Sequence, residues 1–287
     1  MEKDFWVTEA LRGLAVCSAA TGVSFVLKGG TSLSKAFGLI QRFSEDVDVI
    51  VVVPGNSKGQ DDRLLKQFVA AAEESTGLDS KVDPRTATKG VKRTATLVYP
   101  TGSSSGALRS GVLLELGTRG GAIPTSQRQV ASLIVEHWPD EGIEADFVEA
   151  EPVALRVLAP VRTLIEKLMI LHHAALAGDA AEQQRLARHY YDVWCLLRDK
   201  GAVTALSESP ADVLAREVST FTQAAGLGAS ARPANGFAAS PAFDYTATGP
   251  ARSAYESIVL DQLLWPEAVR PSFEDCCGLV QSHADLL

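Results

Sequence analysis

The stretch Phe25-Val26-Leu27-Lys28-Gly29-Gly30-Thr31-Ser32-Leu33-Ser34-Lys35, followed by Arg42-Phe43-Ser44-Glu45-Asp46-Val47-Asp48-Val49-Ile50, decides the reading of this chain. Side chains of a strand alternate between faces, so Val47, Val49 and Val51 share one face while Asp46, Asp48 and Ile50 share the other. The two carboxylates then root about 6.6 Å apart. Both reach a pair of Mg²⁺ ions spaced about 3.5–4 Å, the arrangement that clamps the attacking and leaving oxygens of phosphoryl transfer. Neighbouring anions repel, and a dication offsets the repulsion; Mg²⁺ takes one or two carboxylates together with phosphate oxygens and water.

Working outward, Val23 to Leu27 is an apolar, β-branched run of strand type that Gly29-Gly30 breaks before Thr31 begins a helical pattern. A glycine turn at a helix start suits a phosphate, because unpaired amides and the helix dipole both favour an anion. Lys28, Thr31, Ser32 and Lys35 add donors. Each half alone is weak evidence, and the glycines also read as plain punctuation before a helix.

In this order and spacing, Gly-Gly-[Ser/Thr] followed by Asp-x-Asp resembles the signature of the DNA polymerase β-like nucleotidyltransferase superfamily. The fuller form, Lys28-Gly29-Gly30-Thr31-x-Leu33-x-Lys35 with Arg42-x-Ser44-x-Asp46-x-Asp48, closely resembles the AbiEii-type nucleotidyltransferase toxins of bacterial toxin–antitoxin systems, including their mycobacterial tRNA-modifying branch. The resemblance runs from Lys28 to about Trp194. It implies that Lys28, Gly29, Gly30, Thr31, Ser32, Lys35 and Ser44 bind the nucleotide and that Asp46 and Asp48 hold the metal.

The chain has 287 residues, 46% of them hydrophobic, enough for a long core or two subdomains. No apolar run approaches the roughly 18–20 residues of a membrane span, and Met1-Glu2-Lys3-Asp4 lacks a signal peptide's basic start and apolar core. The expectation is a cytoplasmic protein. Cys17, Cys195, Cys276 and Cys277 form no C-x-x-C pair and read as reduced thiols, the adjacent two as helix-packing residues. Of His172-His173, about 100° apart on a helix, one is expected in the core and one at the surface.

A net charge of −8 excludes an indiscriminate nucleic-acid binder. Locally, Lys81, Arg85, Lys89, Lys92 and Arg93 stand against Asp83 alone, and Arg185, Arg188 and His189 form a second basic group. Such runs are either solvated faces or grips for an RNA backbone.

The pattern divides near Pro152 to Pro160. The expected fold is an α/β N-terminal lobe of polymerase β-like nucleotidyltransferase type over 1–155, with a mainly α-helical C-terminal lobe over 156–287. Helices are expected over Thr8–Thr21, from Thr31 and over Asp61–Thr76, and strands over Val23–Leu27, around the aspartates, and over Ala95–Tyr99 and Gly111–Leu116. The last two are separated by a turn at Ser103-Ser104-Ser105-Gly106. Beyond Pro160 the pattern predicts helices over Val161–Ala177 and Ala180–Lys200, and a long surface loop over Gly226–Gly249.

Glu115, alone among the apolar residues of Val112-Leu113-Leu114-Glu115-Leu116, is the candidate third carboxylate, acting as base or metal ligand. An unpaired buried carboxylate is costly, so a metal, a lysine or a substrate hydroxyl is expected beside it; the alternative is a strand-edge glutamate facing solvent. On the helix starting at Pro160, the stripe Val161, Leu164, Ile165, Leu168 and Leu171 leaves Lys167 outside it, which the sequence alone reads as a surface lysine. The resemblance assigns Lys167 to the nucleotide phosphates. In His189-Tyr190-Tyr191-Asp192-Val193-Trp194, which resembles the family's aromatic-Asp-apolar helix motif, Asp192 lies one helical hairpin after Lys167, placed to pair with it. The plain reading of Asp192 is a helix-surface acid. Tyr190, Tyr191 and Trp194 read as core.

The resemblance implies an enzyme that moves a nucleoside monophosphate from an NTP to the 3′ end of tRNA, blocking aminoacylation. Its catalytic set is Asp46, Asp48, Glu115, Lys167 and Asp192, its cofactor is Mg²⁺ or Mn²⁺, and the NTP is its substrate. Expected partners are tRNA and a cognate antitoxin protein, with no membrane; the chain is expected to be a monomer. The alternatives are a nucleotidyltransferase acting on a small molecule or a protein hydroxyl, and a non-catalytic NTP-binding regulator. An aminoglycoside-like polycation would need an acidic pocket, which the Lys81–Arg93 stretch opposes, and a binding module has little need of both aspartates.

Overall fold

The computed structural model describes every residue except 45, 54, 56, 101–109, 138–146 and 225–229, so the turn expected at Ser103–Gly106 lies outside the described residues. The chain forms two compact units, one of Met1–Phe37 with Ser44–Leu158, the other of Gly38–Phe43 with Ala159–Leu287.

The first unit contains helix α1 (Glu2–Thr21), strand β1 (Phe25–Lys28), the short turn α2 (Gly29–Thr31) widening into a π-helical turn over Ser32–Ala36, strand β2 (Asp46–Val51) and helix α3 (Lys58–Thr76). Strands β3 (Ser80–Val82), β4 (Lys92–Leu97), β5 (Val112–Gly117) and β6 (Thr125–Val130) follow, then the short helix α4 (Leu133–Glu136) and strand β7 (Val153–Leu158). The strands make one sheet in the order β3-β4-β5-β2-β1-β7-β6. β2 runs parallel to β5 and β1 parallel to β7; the remaining neighbours are antiparallel.

Alternation sorts this sheet. Phe25, Leu27, Val47, Val49, Val51, Leu114, Leu116, Leu155 and Val157 point to one side, where Val7, Leu11 and Leu14 of α1 and Leu65 and Phe68 of α3 cover them. Removing the Phe68 ring from this layer would cost roughly 3–5 kcal/mol. α1 and α3 approach so closely at Gly13 that a Cβ there would collide with the Ala71 carbonyl. A Ser57–Gln60 capping box starts α3. The other side of the sheet carries Lys28, Asp46, Asp48, Glu115, Lys92 and Thr94.

Three strands of the sheet have no counterpart in the sequence reading. β6, Thr-Ser-Gln-Arg-Gln-Val, is an edge strand whose exposed polar residues carry no apolar alternation; pairing with β7 fixes it. β7 falls where the sequence suggested a lobe boundary, and β3 is three residues long.

The second unit is built on α5 (Pro160–Ala177), α6 (Ala180–Leu186), α7 (Arg188–Arg198), α8 (Lys200–Glu208), α9 (Ala211–Ala224), α10 (Gly249–Ala254) and α11 (Phe273–Ser282). The single helix expected over Ala180–Lys200 is two, meeting at Ala187. The expected stripe of α5 is buried, but so are Arg162 and Lys167, because α5 is surrounded rather than amphipathic. The described part of the expected surface loop, 230–249, is instead packed: Phe237, Ser240, Ala242 and Phe243 are buried, and Phe243 meets the Tyr190 ring edge-on. Its two buried phenylalanines outweigh its turn-rich composition, while Tyr245 stays exposed. Segment 38–43 joins this unit through Trp265 N–H to Gln41 O (3.0 Å) and Phe43 N–H to Leu263 O (2.9 Å).

All four cysteines are free thiols, with Cys276 and Cys277 buried in α11. His172 is buried against Ser240 and His173 is exposed, as their angular separation requires. Among the described residues, no helix is long and apolar enough to cross a membrane.

Candidate active site

Antiparallel pairing of β1 with β2 sets Lys28 opposite Asp48. The chain then turns at Gly29, whose φ of 74° is one that other residues adopt only at a cost. A Cβ at Gly29 would also collide with the Asp48 carboxylate, so glycine is required twice over. The Thr31 hydroxyl donates to the Asp46 carbonyl and lies 3.0 Å from Ser44 Oγ, while Ser32 Oγ donates to the Gly29 carbonyl at 2.8 Å. These hydroxyls, expected as phosphate donors, are buried and committed to fixing the turn against β2. Lys35 is likewise committed: its ammonium pairs with Asp4 of α1, whose other oxygen accepts from Leu133 N–H. The Ser32 N–H is also spent within the turn, on the Gly29 carbonyl.

Parallel pairing of β2 with β5 sets Asp48 beside Glu115, and antiparallel pairing with β4 sets Thr94 on the other flank of Glu115. Lys28, Asp48, Glu115 and Thr94 thus form one row across four strands. Lys92 faces Gly117, which has no side chain, so its stem runs along the sheet and its ammonium reaches Glu115 Oε1 at 2.9 Å. The expected lysine beside Glu115 is therefore Lys92. Thr94 is buried, and its hydroxyl has no hydrogen-bond partner among the described residues.

Electrostatics divide the two acids. Burial pushes the Asp48 carboxyl up to about 7; Lys28 opposes the shift, while Glu115 and Asp46 add to it. Burial also acts to raise Glu115, but hydrogen bonds from Asp48 and Lys92 outweigh it and leave the carboxyl below its ordinary value. Of the two, Asp48 is the acid that holds a proton as pH falls below about 7, donating it towards Glu115.

Among the described residues, no group of three or more His, Cys, Asp or Glu side chains is disposed to hold a metal. Mg²⁺ needs fewer: one or two carboxylates with phosphate and water complete its shell. Asp46 and Asp48 supply two hard oxygen donors on one face, and a dication there would favour the ionised form of Asp48 that burial, with Glu115 and Asp46, disfavours. The residues fit the ion.

Within the second unit, Arg42 meets α7. Its Nε and Nη2 each lie 2.7 Å from one oxygen of the buried Asp192 carboxylate. Lys167 Nζ of α5 is 2.6 Å from Asp192 Oδ2 and 3.0 Å from His189 Nδ1. Burial alone would raise the Asp192 carboxyl, yet the charges of Arg42 and Lys167 hold it well below the usual carboxylate range. Burial and the adjacent Lys167 drive the His189 imidazole down to about 3. His189 Nδ1 also lies 3.3 Å from Asp192 Oδ2, so a neutral ring either accepts from Lys167 or donates to Asp192 at that nitrogen. Burial depresses the Lys167 ammonium and Asp192 opposes the shift. Both plain readings, surface lysine and surface acid, give way to a buried cluster.

The structure thus gathers Lys28, Gly29, Asp46, Asp48 and Glu115 in the first unit, and Lys167 and Asp192 in the second. Sequence reasoning gave no role to Arg42, which stood in a quoted motif, and read Lys92 and His189 only as parts of basic runs, solvated or gripping RNA. Those runs are largely neutralised locally: Arg85 pairs with Asp83 (3.1 Å), Arg93 with Asp62 (3.2 Å) and Arg185 with Glu182 (2.6 Å).

The model of the family described as Nucleotidyl transferase AbiEii toxin, Type IV TA system, matches residues 14–247. Among solved structures, JHP933 from Helicobacter pylori aligns over 100% of this chain and 92% of its own, at 14% identity and a TM-score of 0.42. MenT4, the nucleotidyltransferase toxin Rv2826c from Mycobacterium tuberculosis H37Rv, aligns over 98% of this chain and 89% of its own, at 16% identity and a TM-score of 0.37. Scores this low carry no argument beyond the family match. No curated protein matches the chain.

Proposed function

Since the chain belongs to the AbiEii nucleotidyltransferase toxin family of type IV toxin–antitoxin systems, we propose that it transfers a nucleoside monophosphate from an NTP to the 3′-terminal hydroxyl of tRNA. The acceptor's 3′ oxygen forms a bond to the α-phosphorus as the bond to the β-phosphate oxygen breaks, and pyrophosphate leaves. The observation that carries this reading is the row Lys28–Asp48–Glu115, set by strand register beside the Gly29 turn.

Asp46 and Asp48 would hold the divalent cation, which when bound supplies a positive template for the phosphate oxygens. Lys28 and the turn amides offset triphosphate charge, so that catalysis is mainly positioning and electrostatics. Gly30, Thr31, Ser32 and Ser44 shape this turn, and Lys35 anchors it to α1. Glu115, held by Lys92 at 2.9 Å and with its carboxyl below the ordinary value, would serve as base for the acceptor hydroxyl. Lys167 and Asp192 enter this reading through the family motif: a lysine held on a carboxylate is a fixed positive charge of the kind a triphosphate requires. Capping the 3′ end of tRNA would block aminoacylation and growth, with a cognate antitoxin relieving it. The chain acts in the cytoplasm as a monomer.

The test is incubation with total tRNA, Mg²⁺ and each labelled NTP in turn, beside an Asp46→Ala/Asp48→Ala control. Label on tRNA from one NTP, absent from the control, is the expected result. No label from any NTP would overturn the tRNA acceptor.

A further inference from the structure

A cleft of about 620 Å³ opens at the β3 edge of the sheet, lined by Lys81, Val82, Asp83, Arg85, Thr96 and Val98 among others. Register fixes which side of the sheet it occupies. Lys81 pairs with Thr96, Thr96 with Leu113, and Leu113 with Asp46. Directly paired residues point to the same side, so Lys81, Thr96, Leu113 and Asp46 form a second row, parallel to the Lys28–Thr94 row and on the same face. The cleft therefore continues the surface that carries the carboxylates. With neighbouring strands about 4.8 Å apart, Lys81 stands about 14 Å from Asp46 along this row.

Charge within the cleft is uneven. Arg85 is spent on Asp83 at 3.1 Å. Lys81 is exposed and has no acidic partner among the described residues. One unneutralised ammonium, a threonine hydroxyl and the exposed side chains of Val82 and Val98 make a surface for a phosphate flanked by weakly polar groups. An acceptor the size of a sugar, reacting at Asp46, would not reach 14 Å. A polymer reacting at its end must.

We propose that this cleft seats the acceptor strand of the polynucleotide, with Lys81 contacting a backbone phosphate upstream of the reacting 3′ end. The proposal rests on the tRNA reading above and adds a location and a contact to it. Within the basic stretch Arg85, Lys92 and Arg93 are paired with neighbouring acids, which leaves Lys81, among the described residues, as the uncompensated cation that lines the cleft.

The experiment measures steady-state transfer and direct tRNA binding for the wild type, Lys81→Ala, Lys81→Arg and Lys66→Glu. Lys66 lies on α3, across the sheet from the cleft. For Lys81→Ala the expected result is a KM for tRNA raised about tenfold, with kcat and the KM for NTP unchanged. The slope of log K against log salt should become shallower by about one, the signature of one lost phosphate contact. Lys81→Arg should restore both, and Lys66→Glu should match the wild type. An unchanged tRNA KM and salt slope in Lys81→Ala would overturn the proposal, as would a fall in kcat with equal loss for NTP. A wild type that labels no tRNA fails the underlying reading instead. Labelling of a protein or small acceptor, insensitive to Lys81, would then sink both.

Discussion

Arg42 and Asp192 stand 150 positions apart and meet in a two-pronged ion pair, each nitrogen 2.7 Å from its own carboxylate oxygen. Both side chains are buried, at 3% and 0% exposure. Asp192 also carries Lys167, so two cations depend on one anion. Breaking a buried pair from one side leaves a charge without compensation, at roughly 3–5 kcal/mol. Arg42→Ala and Asp192→Ala should each lower the denaturation midpoint by that order. Arg42→Lys should recover only part, because an ammonium cannot reproduce the fork. Equilibrium denaturation, followed in the double variant, would show non-additivity of more than 1 kcal/mol, about the upper part of the range for contacting pairs; additive losses would sink the account.

This pair marks the limit of what the sequence makes legible. Asp46 and Asp48 are readable because a period of two lies within one strand and needs nothing from outside it. The Gly29 turn is readable for the same reason. Lys167 is misread as exposed because a stripe on one helix reports only one contact face, whereas α5 is covered from several sides. Arg42 is silent in the sequence because segment 38–43 leaves the strand region to join the helical unit. β6 is silent because an edge strand paired on one side can be almost wholly polar, with Val130 alone reaching the core. Loop composition misled over 230–249, where Phe237 and Phe243 fill the core.

Gly29 and Gly22 separate backbone strain from active-site geometry. Both have positive φ, 74° and 68°, but a Cβ at Gly22 meets open space. Gly22→Ala should cost about 1–2 kcal/mol of stability and leave transfer unchanged. Gly29→Ala should cost at least as much and also lower transfer by about 100-fold, the penalty of a misplaced catalytic group. Calorimetry beside the labelled transfer assay reads both. Equal activity in the two variants would remove the Gly29–Asp48 contact from the argument.

Asp48 predicts a variant that is more stable and inactive. Its folded carboxyl is raised to about 7 from 3.8. The folded state therefore binds more protons than the unfolded chain between these values, and stability is lost as pH climbs through 7. Asp48→Asn removes that loss. In EDTA at pH 8 it should melt a few degrees above the wild type, a gain of about 1–2 kcal/mol, and transfer nothing. Added Mg²⁺ with NTP should raise the melting temperature of the wild type and not of the variant. A variant destabilised in EDTA at pH 8 would refute the cost assigned to burying an ionised Asp48 beside Glu115.

His189 predicts the opposite slope. Burial and Lys167 depress its folded value to about 3 from 6.5. The unfolded chain then binds a proton that the folded chain refuses throughout that interval. The stability present above pH 6.5 is lost as pH falls, by about 1.4 kcal/mol per unit once the unfolded imidazole is charged. Asp192, held below its usual range, contributes in the same direction only below about pH 4. Lys167, also depressed by burial, acts in the same direction, so the histidine's share is read by substituting it alone. His189→Gln keeps an acceptor for Lys167 and has no proton to refuse, so its denaturation midpoint should be flatter with pH than that of the wild type as pH falls from 6.5 to about 4.5. Asp48→Asn should serve as the background for this comparison, because it removes the rising term of the first unit. Identical slopes with and without His189 on that background would show that the imidazole is charged in the fold, and that Lys167 does not donate to it.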